Sequence, residues 1–128
     1  QRLDDFVAKR HILQKRYDLL LSTLLITRPL QDEDSYSALH LYPIQIDLNK
    51  VSKNREQIFS ELRDAGVGVN IHYIPIHTQP YYLQFGFREG DFHNSETYYN
   101  QALSLPLFST MTLEQQDEVV NNLKRILT

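Results

Sequence analysis

The sequence contains no cysteine in its 128 residues. This absence excludes disulfide bonds, thiolate metal sites and a cysteine nucleophile, and it suits a reducing compartment, so we expect a cytoplasmic protein. Long apolar runs are absent too. The longest, residues 19–26, is interrupted by Ser22 and Thr23 and falls far short of the roughly 20 residues that a membrane-spanning helix requires. No membrane segment is predicted.

The chain also lacks an excess of basic residues. Its 13 Lys and Arg stand against 16 Asp and Glu, and no basic block is long enough to follow a phosphate backbone, so we expect no nucleic-acid partner. No GxSxG turn is present, which argues against a hydrolase. The first residue is Gln1 rather than Met and no signal peptide opens the chain, so we expect it to be part of a longer protein.

Helical and extended patterns alternate along the sequence. Apolar residues recur at helical spacing over residues 2–22. Further helices are predicted up to residue 65 with Ser52 or Asn54 as the cap, from Asn94 to residue 103, and after Thr112. Thr112 and Gln115 fit a capping box, and Gly66 supplies a left-handed helix stop.

Extended segments are predicted at residues 26–30, 38–47, 67–73 and 103–108, with a charged surface loop at residues 31–35. Pro43 cannot donate to a strand ladder, so we expect its strand to lie at an edge or to carry a bulge. The alternation predicts a single α/β domain in which helices pack on a small sheet. The order of the strands cannot be deduced from the sequence.

Residues 70–82, NIHYIPIHTQPYY, are the most unusual stretch of the chain. A metal site is not predicted, because an odd separation on a strand places His72 and His77 on opposite faces, Pro75 prevents a helix, and no nearby acid or cysteine completes a ligand set. Two alternatives remain. The rings could pack in the core with the imidazoles on the surface or bonded to carbonyls, or the proline-stiffened loop could hold polar ring tips against a sugar, a base edge or a diphosphate.

These residues carry a family resemblance. The segments at residues 62–77, 80–82, 85–87, 90–92 and 102–108 resemble the C-terminal part of the DegT/DnrJ/EryC1/StrS family of nucleotide-sugar aminotransferases, which depend on pyridoxal phosphate (PLP). Within the family, the chain looks most similar to the members that serve pseudaminic-acid synthesis. The resemblance implies that residues 1–128 form the C-terminal small domain of a fold-type I PLP-dependent transferase, with a small, mainly antiparallel sheet. Residues 1–25 would then be a leading helix that connects to a large domain outside this chain.

The resemblance also implies a function. The whole protein would transfer an amino group from glutamate to a nucleotide-linked 4-keto-6-deoxy sugar, UDP-linked in the similar members, for the synthesis of a surface polysaccharide or glycan, and it would act as a homodimer. PLP and its lysine would belong to the large domain, so no catalytic residue is expected here. The family segment that contacts the nucleotide-sugar matches His72, Tyr73, Ile74, Pro75 and His77, with Tyr81 and Arg88 as further candidates.

Two other functions stay open. One is a free-standing, non-catalytic interaction module whose tyrosine-rich loop docks a protein, since aromatic residues are enriched in interface cores as well. The other is an aminotransferase for a different nucleotide-sugar, of the arabinose-lipid or perosamine type.

Overall fold

The computed structural model describes residues 2–32 and 34–128; Gln1, at the predicted start of the leading helix, and Glu33, in the predicted charged loop, lie outside the described residues. The main elements are, in chain order, α1 (Arg2–Leu20), β1 (Ile26–Thr27), β2 (Tyr42–Ile46), α2 (Arg55–Asp64), a 3₁₀ turn (Ile76–Thr78), α3 (Pro80–Leu83), α4 (His93–Gln101), β3 (Ala102–Leu105) and α5 (Leu113–Leu127).

The three strands form one antiparallel sheet in the order β1-β2-β3. On β2, Tyr42, Ile44 and Ile46 are buried and alternate with half-buried residues, as expected for a strand with one face on the core. All four residues of β3 are buried. The small antiparallel sheet and its packed helices confirm the predicted α/β class.

The prediction that Pro43 marks an edge strand or a bulge is wrong, because β2 is the central strand and its register with β3 is continuous through Pro43. Pro43 is opposite Ser104 of β3. The backbone N–H and C=O of Ser104 bond to Asn70, on the side away from β2. Pro43 therefore forms a non-hydrogen-bonded pair with β3, and its nitrogen points toward the β1 side, as the Asp47 nitrogen does. Since β1 pairs only as far along as Gln45, no acceptor on β1 lies opposite Pro43.

The core lies between the sheet and the long helices. Leu13 and Tyr17 of α1, Leu62 of α2 and Leu123 of α5 join the buried strand residues in one cluster. The side chain of Gln116 on α5 is also buried and donates from Nε2 to the Leu13 carbonyl at 2.7 Å, which satisfies its amide inside the core. Across residues 2–32 and 34–128, no helix has the length and apolar character that a bilayer crossing requires.

Two predicted elements differ from the structure. Residues 67–73 form no strand; Asn70 alone makes a bridge, to Ser104. Asn94 does not cap α4, which begins at His93 with Phe92 at the N-cap position and no side-chain cap, and Ala102 already belongs to β3. The free N–H groups ahead of α4 bond instead to Glu96, inside the helix. Local pattern could not anticipate either result, because both depend on contacts that the tertiary fold creates.

Candidate functional site

The unusual segment is attached to the sheet through Ser104 of β3. The Asn70 nitrogen donates to the Ser104 carbonyl at 3.2 Å, and the Ser104 nitrogen donates to the Asn70 carbonyl at 2.8 Å. The Ser104 hydroxyl, itself buried, is 2.9 Å from Nδ1 of His72. His72 in turn meets the ring of Tyr73 edge to face at 4.7 Å. One buried serine thus fixes both the backbone and the first imidazole of the segment.

The next residues form a compact turn that begins at a buried proline. The Pro75 carbonyl accepts from the backbone nitrogen of Thr78 at 3.0 Å and from its hydroxyl at 2.8 Å. The turn points His77 inward, where its side chain is only 7% exposed and its ring lies 4.8 Å from that of Phe92. Pro75 and His77 therefore lie beneath the surface of the segment.

Glu96 of α4 holds this turn from the other side. Its carboxylate is 2.6 Å from Nε2 of His77 and accepts backbone N–H groups from Gly90 at 2.8 and 3.0 Å and from Phe92 at 3.4 Å. The bond to His77 is the largest cause of a lowered pKa for Glu96, and the bond from Gly90 adds to it, while partial burial opposes both. An ionised carboxylate therefore joins the turn to the loop that precedes α4.

We call Ser104 and Glu96, which hold the two histidines of the segment, the anchors. Outside the anchors, apolar side chains face solvent. We call them the ridge: Tyr73, Ile74, Ile76 and Tyr81, of which Tyr73 is 71% exposed. Beside the ridge, a groove of about 320 Å³ is lined by Ile76, His77, Tyr82, Phe87, Phe92 and Ser95. Monomeric proteins seldom expose many large apolar side chains together, so the ridge and groove have the character of a binding surface.

Arg88 lies on the loop between α3 and α4. The loop turns at Gly86 and Gly90, whose φ angles of +93° and +96° favour glycine, and the Arg88 nitrogen donates to the Asp91 carboxylate at 2.8 Å. The Arg88 side chain is exposed, and its guanidinium forms no hydrogen bond or ion pair within residues 2–32 and 34–128. It is free to meet an anion.

The structure thus gives the predicted residues three different positions. His72, Tyr73, Ile74 and Tyr81 reach the surface, whereas Pro75 and His77 lie under it and Arg88 stands on the adjoining loop. Sequence reasoning missed Ser104 and Glu96 as the residues that fix the two histidines. Ser104 had a signal, since it is the one polar residue in the apolar run 102–108; Glu96 had none.

The two histidines have separate hydrogen-bond partners. His72 bonds to Ser104 and His77 to Glu96, and in the part of the chain that the structure describes no group of three or more His, Asp or Glu side chains could hold an ion.

The lysines do not fit a PLP site either. A lysine that forms the PLP imine must lie in a pocket and be able to lose its charge. Lys50 forms an exposed ion pair with Asp47 at 2.8 Å, and Lys53 pairs with Glu61 at 2.7 Å. The others, Lys9, Lys15 and Lys124, are exposed or half-buried on the outer surfaces of α1 and α5. None of these lysines therefore has the surroundings that a PLP imine requires.

Comparison with known proteins places these features in a family. The sequence profile of the DegT/DnrJ/EryC1/StrS aminotransferase family matches residues 1–124. The spore coat polysaccharide biosynthesis protein SpsC of Bacillus subtilis is 37% identical over 131 residues, which cover 99% of this chain and 33% of SpsC. The chain therefore spans about a third of the length of that relative.

Solved structures share the fold. PseC of Helicobacter pylori, an aminotransferase involved in the biosynthesis of pseudoaminic acid, superposes with a TM-score of 0.84 at 24% identity, over 95% of this chain and 33% of PseC. Spr1654 of Streptococcus pneumoniae, a sugar-aminotransferase candidate solved in its pyridoxamine phosphate (PMP) form, gives a TM-score of 0.85 at 24% identity, over 94% of this chain and 30% of that protein. With the match along nearly its whole length and the fold in agreement, the chain belongs to the DegT/DnrJ/EryC1/StrS aminotransferase family.

Proposed function

We propose that this chain is the C-terminal small domain, residues 1–128, of a PLP-dependent aminotransferase, and that residues 1–25 connect it to a large domain. The whole protein would transfer an amino group from glutamate to a UDP-linked 4-keto-6-deoxy sugar. Family membership supports the reaction class, and the share of SpsC that the chain covers supports its assignment to one part of a longer protein. The involvement of PseC in the biosynthesis of pseudoaminic acid supports a sugar of the pseudaminic-acid type.

The observation that carries the proposal is the exposed ridge on its polar anchors. Flat apolar rings with phenol and imidazole tips suit the faces and hydroxyls of a sugar, and a surface that is already rigid loses little entropy on binding. We assign direct contact to His72, Tyr73, Ile74 and Tyr81. Pro75, being buried, acts by positioning, and His77, although largely buried, lines the groove.

Arg88 is proposed for an anionic group. Its exposed guanidinium can bind a phosphate or a carboxylate through two parallel hydrogen bonds, so the diphosphate of the nucleotide or the glutamate donor would suit it.

The proposal extends to the cofactor, the oligomeric state and the compartment. Because no lysine of this chain fits a PLP imine, we assign PLP to the large domain. We further propose that the whole protein is a homodimer in the cytoplasm, for which the lack of cysteine is suitable. The uncovered apolar ridge is consistent with an adjacent domain or subunit in the assembled protein.

A matched pair of variants tests the sugar contact. Tyr73 and Tyr36 are 71% and 73% exposed, but only Tyr73 lies on the ridge, whereas Tyr36 stacks on His11 of α1. Titrating the ¹⁵N-labelled chain with UDP-N-acetylglucosamine should shift amide signals of residues 72–77, and Tyr73→Ala should weaken binding several-fold while Tyr36→Ala leaves it unchanged. Equal effects from both variants would refute the assignment.

Absorbance spectroscopy tests the place of the cofactor. PLP mixed with the chain should give no lysine-imine band that survives gel filtration. A stable imine band would contradict the assignment of PLP to the large domain.

A protein-docking function is the second candidate, and one observation favours it. The chain exposes a second set of apolar side chains besides the ridge. Ile12 and Leu19 are both largely exposed and lie seven residues apart on the face of α1 that points away from the core. If nucleotide-sugars leave every amide signal unmoved while a second protein shifts those of α1 or the ridge, the docking function replaces the catalytic one.

A further inference from the structure

Glu96 connects segments that are distant in sequence. His77 lies 19 residues before it, on the turn beneath the ridge, while Gly90 and Phe92 belong to the loop that leads into α4. The side chain of Glu96 is only 16% exposed, so water competes weakly for its oxygens. A single carboxylate therefore holds His77, which lines the groove, against the loop that leads into α4.

The bond from His77 to Glu96 also determines where the imidazole proton resides. An ionised carboxylate can only accept hydrogen bonds, and the lowered pKa of Glu96 keeps it ionised at neutral pH. At 2.6 Å, Nε2 of His77 must therefore carry the hydrogen. In the neutral ring this leaves Nδ1 without a proton, as a hydrogen-bond acceptor.

Nδ1 of His77 is accessible. Within residues 2–32 and 34–128 it has no hydrogen-bond partner, and no buried side-chain nitrogen or oxygen there lacks one. The atom must therefore contact solvent. His77 lines the groove, and the other lining residues, Ile76, Tyr82, Phe87, Phe92 and Ser95, are mostly apolar, so an acceptor on the ring of His77 would have few polar neighbours there.

We propose that Glu96 is a positioning residue that fixes His77 as the Nε2–H tautomer, so that Nδ1 accepts a hydrogen bond from a sugar hydroxyl or acetamido N–H of the substrate. This inference deepens the proposed sugar contact and rests on it for the identity of the ligand. An acceptor in an apolar groove discriminates strongly between ligands that carry a hydrogen-bond donor at that position and ligands that do not. A ligand without the donor leaves Nδ1 desolvated and unpaired.

Nitrogen NMR of the histidine rings tests the tautomer. A long-range ¹H–¹⁵N spectrum of the labelled chain at neutral pH should show Nε2 of His77 protonated and Nδ1 not, with the signals assigned by their loss in His77→Gln. In Glu96→Gln the charge is lost and the tautomers should mix, whereas the control Glu118→Gln, on the exposed surface of α5, should change nothing at His77. A wild-type ring protonated on Nδ1, or an unchanged tautomer in a folded Glu96→Gln, overturns the proposal. The wild-type spectrum decides even if that variant does not fold.

Titration separates this inference from the function on which it rests. With saturating UDP-N-acetylglucosamine, the Nδ1 signal of His77 should move while that of Nε2 stays. If the amides of the ridge respond but Nδ1 does not, the sugar contact stands and the acceptor role of His77 is refuted. If nothing responds although the tautomer is as expected, Glu96 keeps its effect on the ring, but both the proposed sugar contact and the ligand bond to Nδ1 fail.

Discussion

Ser104→Ala should weaken the link between the ridge and the sheet by an amount that the structure sets. The substitution removes the hydroxyl that bonds Nδ1 of His72 at 2.9 Å and leaves the backbone bridge to Asn70 in place. A hydrogen bond of this kind contributes about 0.5–1.5 kcal/mol. Because His72 is half-buried, water can replace the lost partner, so we expect a loss of about 1 kcal/mol.

Urea unfolding measures this loss. With an m-value of about 1–3 kcal/mol per M, typical of small domains, a loss of about 1 kcal/mol lowers the midpoint by about 0.3–1 M. Ser60→Ala, on the exposed surface of α2, is the matched control and should change stability by no more than about 0.5 kcal/mol. A loss above about 2 kcal/mol would mean that the bridge to Asn70 depends on the hydroxyl. No loss at all would mean that the hydroxyl does not hold His72.

Three other predictions concern the core and its helices. Tyr42→Phe should destabilise the fold more than Tyr17→Phe, about 2 against about 1 kcal/mol in urea unfolding, because Tyr42 donates to the Asp18 carboxylate at 2.6 Å and Tyr17 to a neutral carbonyl; equal losses would contradict this. Burial raises the pKa of both tyrosines, helped for Tyr42 by the bond to Asp18, so the folded state resists their ionisation. The contribution of these two tyrosines to stability should therefore be constant below about pH 10, the ordinary tyrosine value. Above it, stability should fall as the pH rises, less steeply in Tyr42→Phe; a rise in stability in alkali would refute the reasoning. Thr112→Ala should cost about 1 kcal/mol and lower the thermal midpoint, since it removes the side-chain half of the α5 cap; an unchanged midpoint would show that Gln115 alone suffices.

The elements that were predicted correctly depend on residues that are close together in the sequence. Asn54, one of the two predicted candidates for the cap of α2, forms reciprocal bonds with Gln57, and Thr112 and Gln115 form the predicted capping box at α5. Gly66 ends α2 with a φ of +80°. Each feature needs only residues within a few positions of one another, so the sequence pattern suffices to find it.

The errors have the opposite character. Residues 67–73 have strand-like composition, but Asn70 makes only one bridge. Likewise Asn94 suits an N-cap, yet Glu96 captures the N–H groups ahead of α4 because His77 and the Gly90 loop are folded against it. Long-range contacts decided both cases.

The candidate site shows the same division. Its residue types identified the segment, and the odd spacing of His72 and His77 suggested that the two rings face different ways. The structure gives them separate partners, Ser104 on β3 and Glu96 on α4, at sequence separations of 32 and 19 residues. Which of the two imidazoles is buried follows from those distant partners and could not be deduced from the local sequence.

The arrangement of exposed rings over buried polar anchors separates two kinds of residue. Tyr73 and Tyr81 bury little surface in the folded chain, so truncating them removes little folding energy, but it would remove contact area from a ligand. Ser104 and Glu96 bind no ligand in the proposed function; they hold the histidines, so changing them alters both stability and the geometry that a ligand meets. A binding surface built in this way should lose affinity without stability when a ring is removed, and lose both when an anchor is removed. A surface that was only an exposed part of the core would show no such distinction.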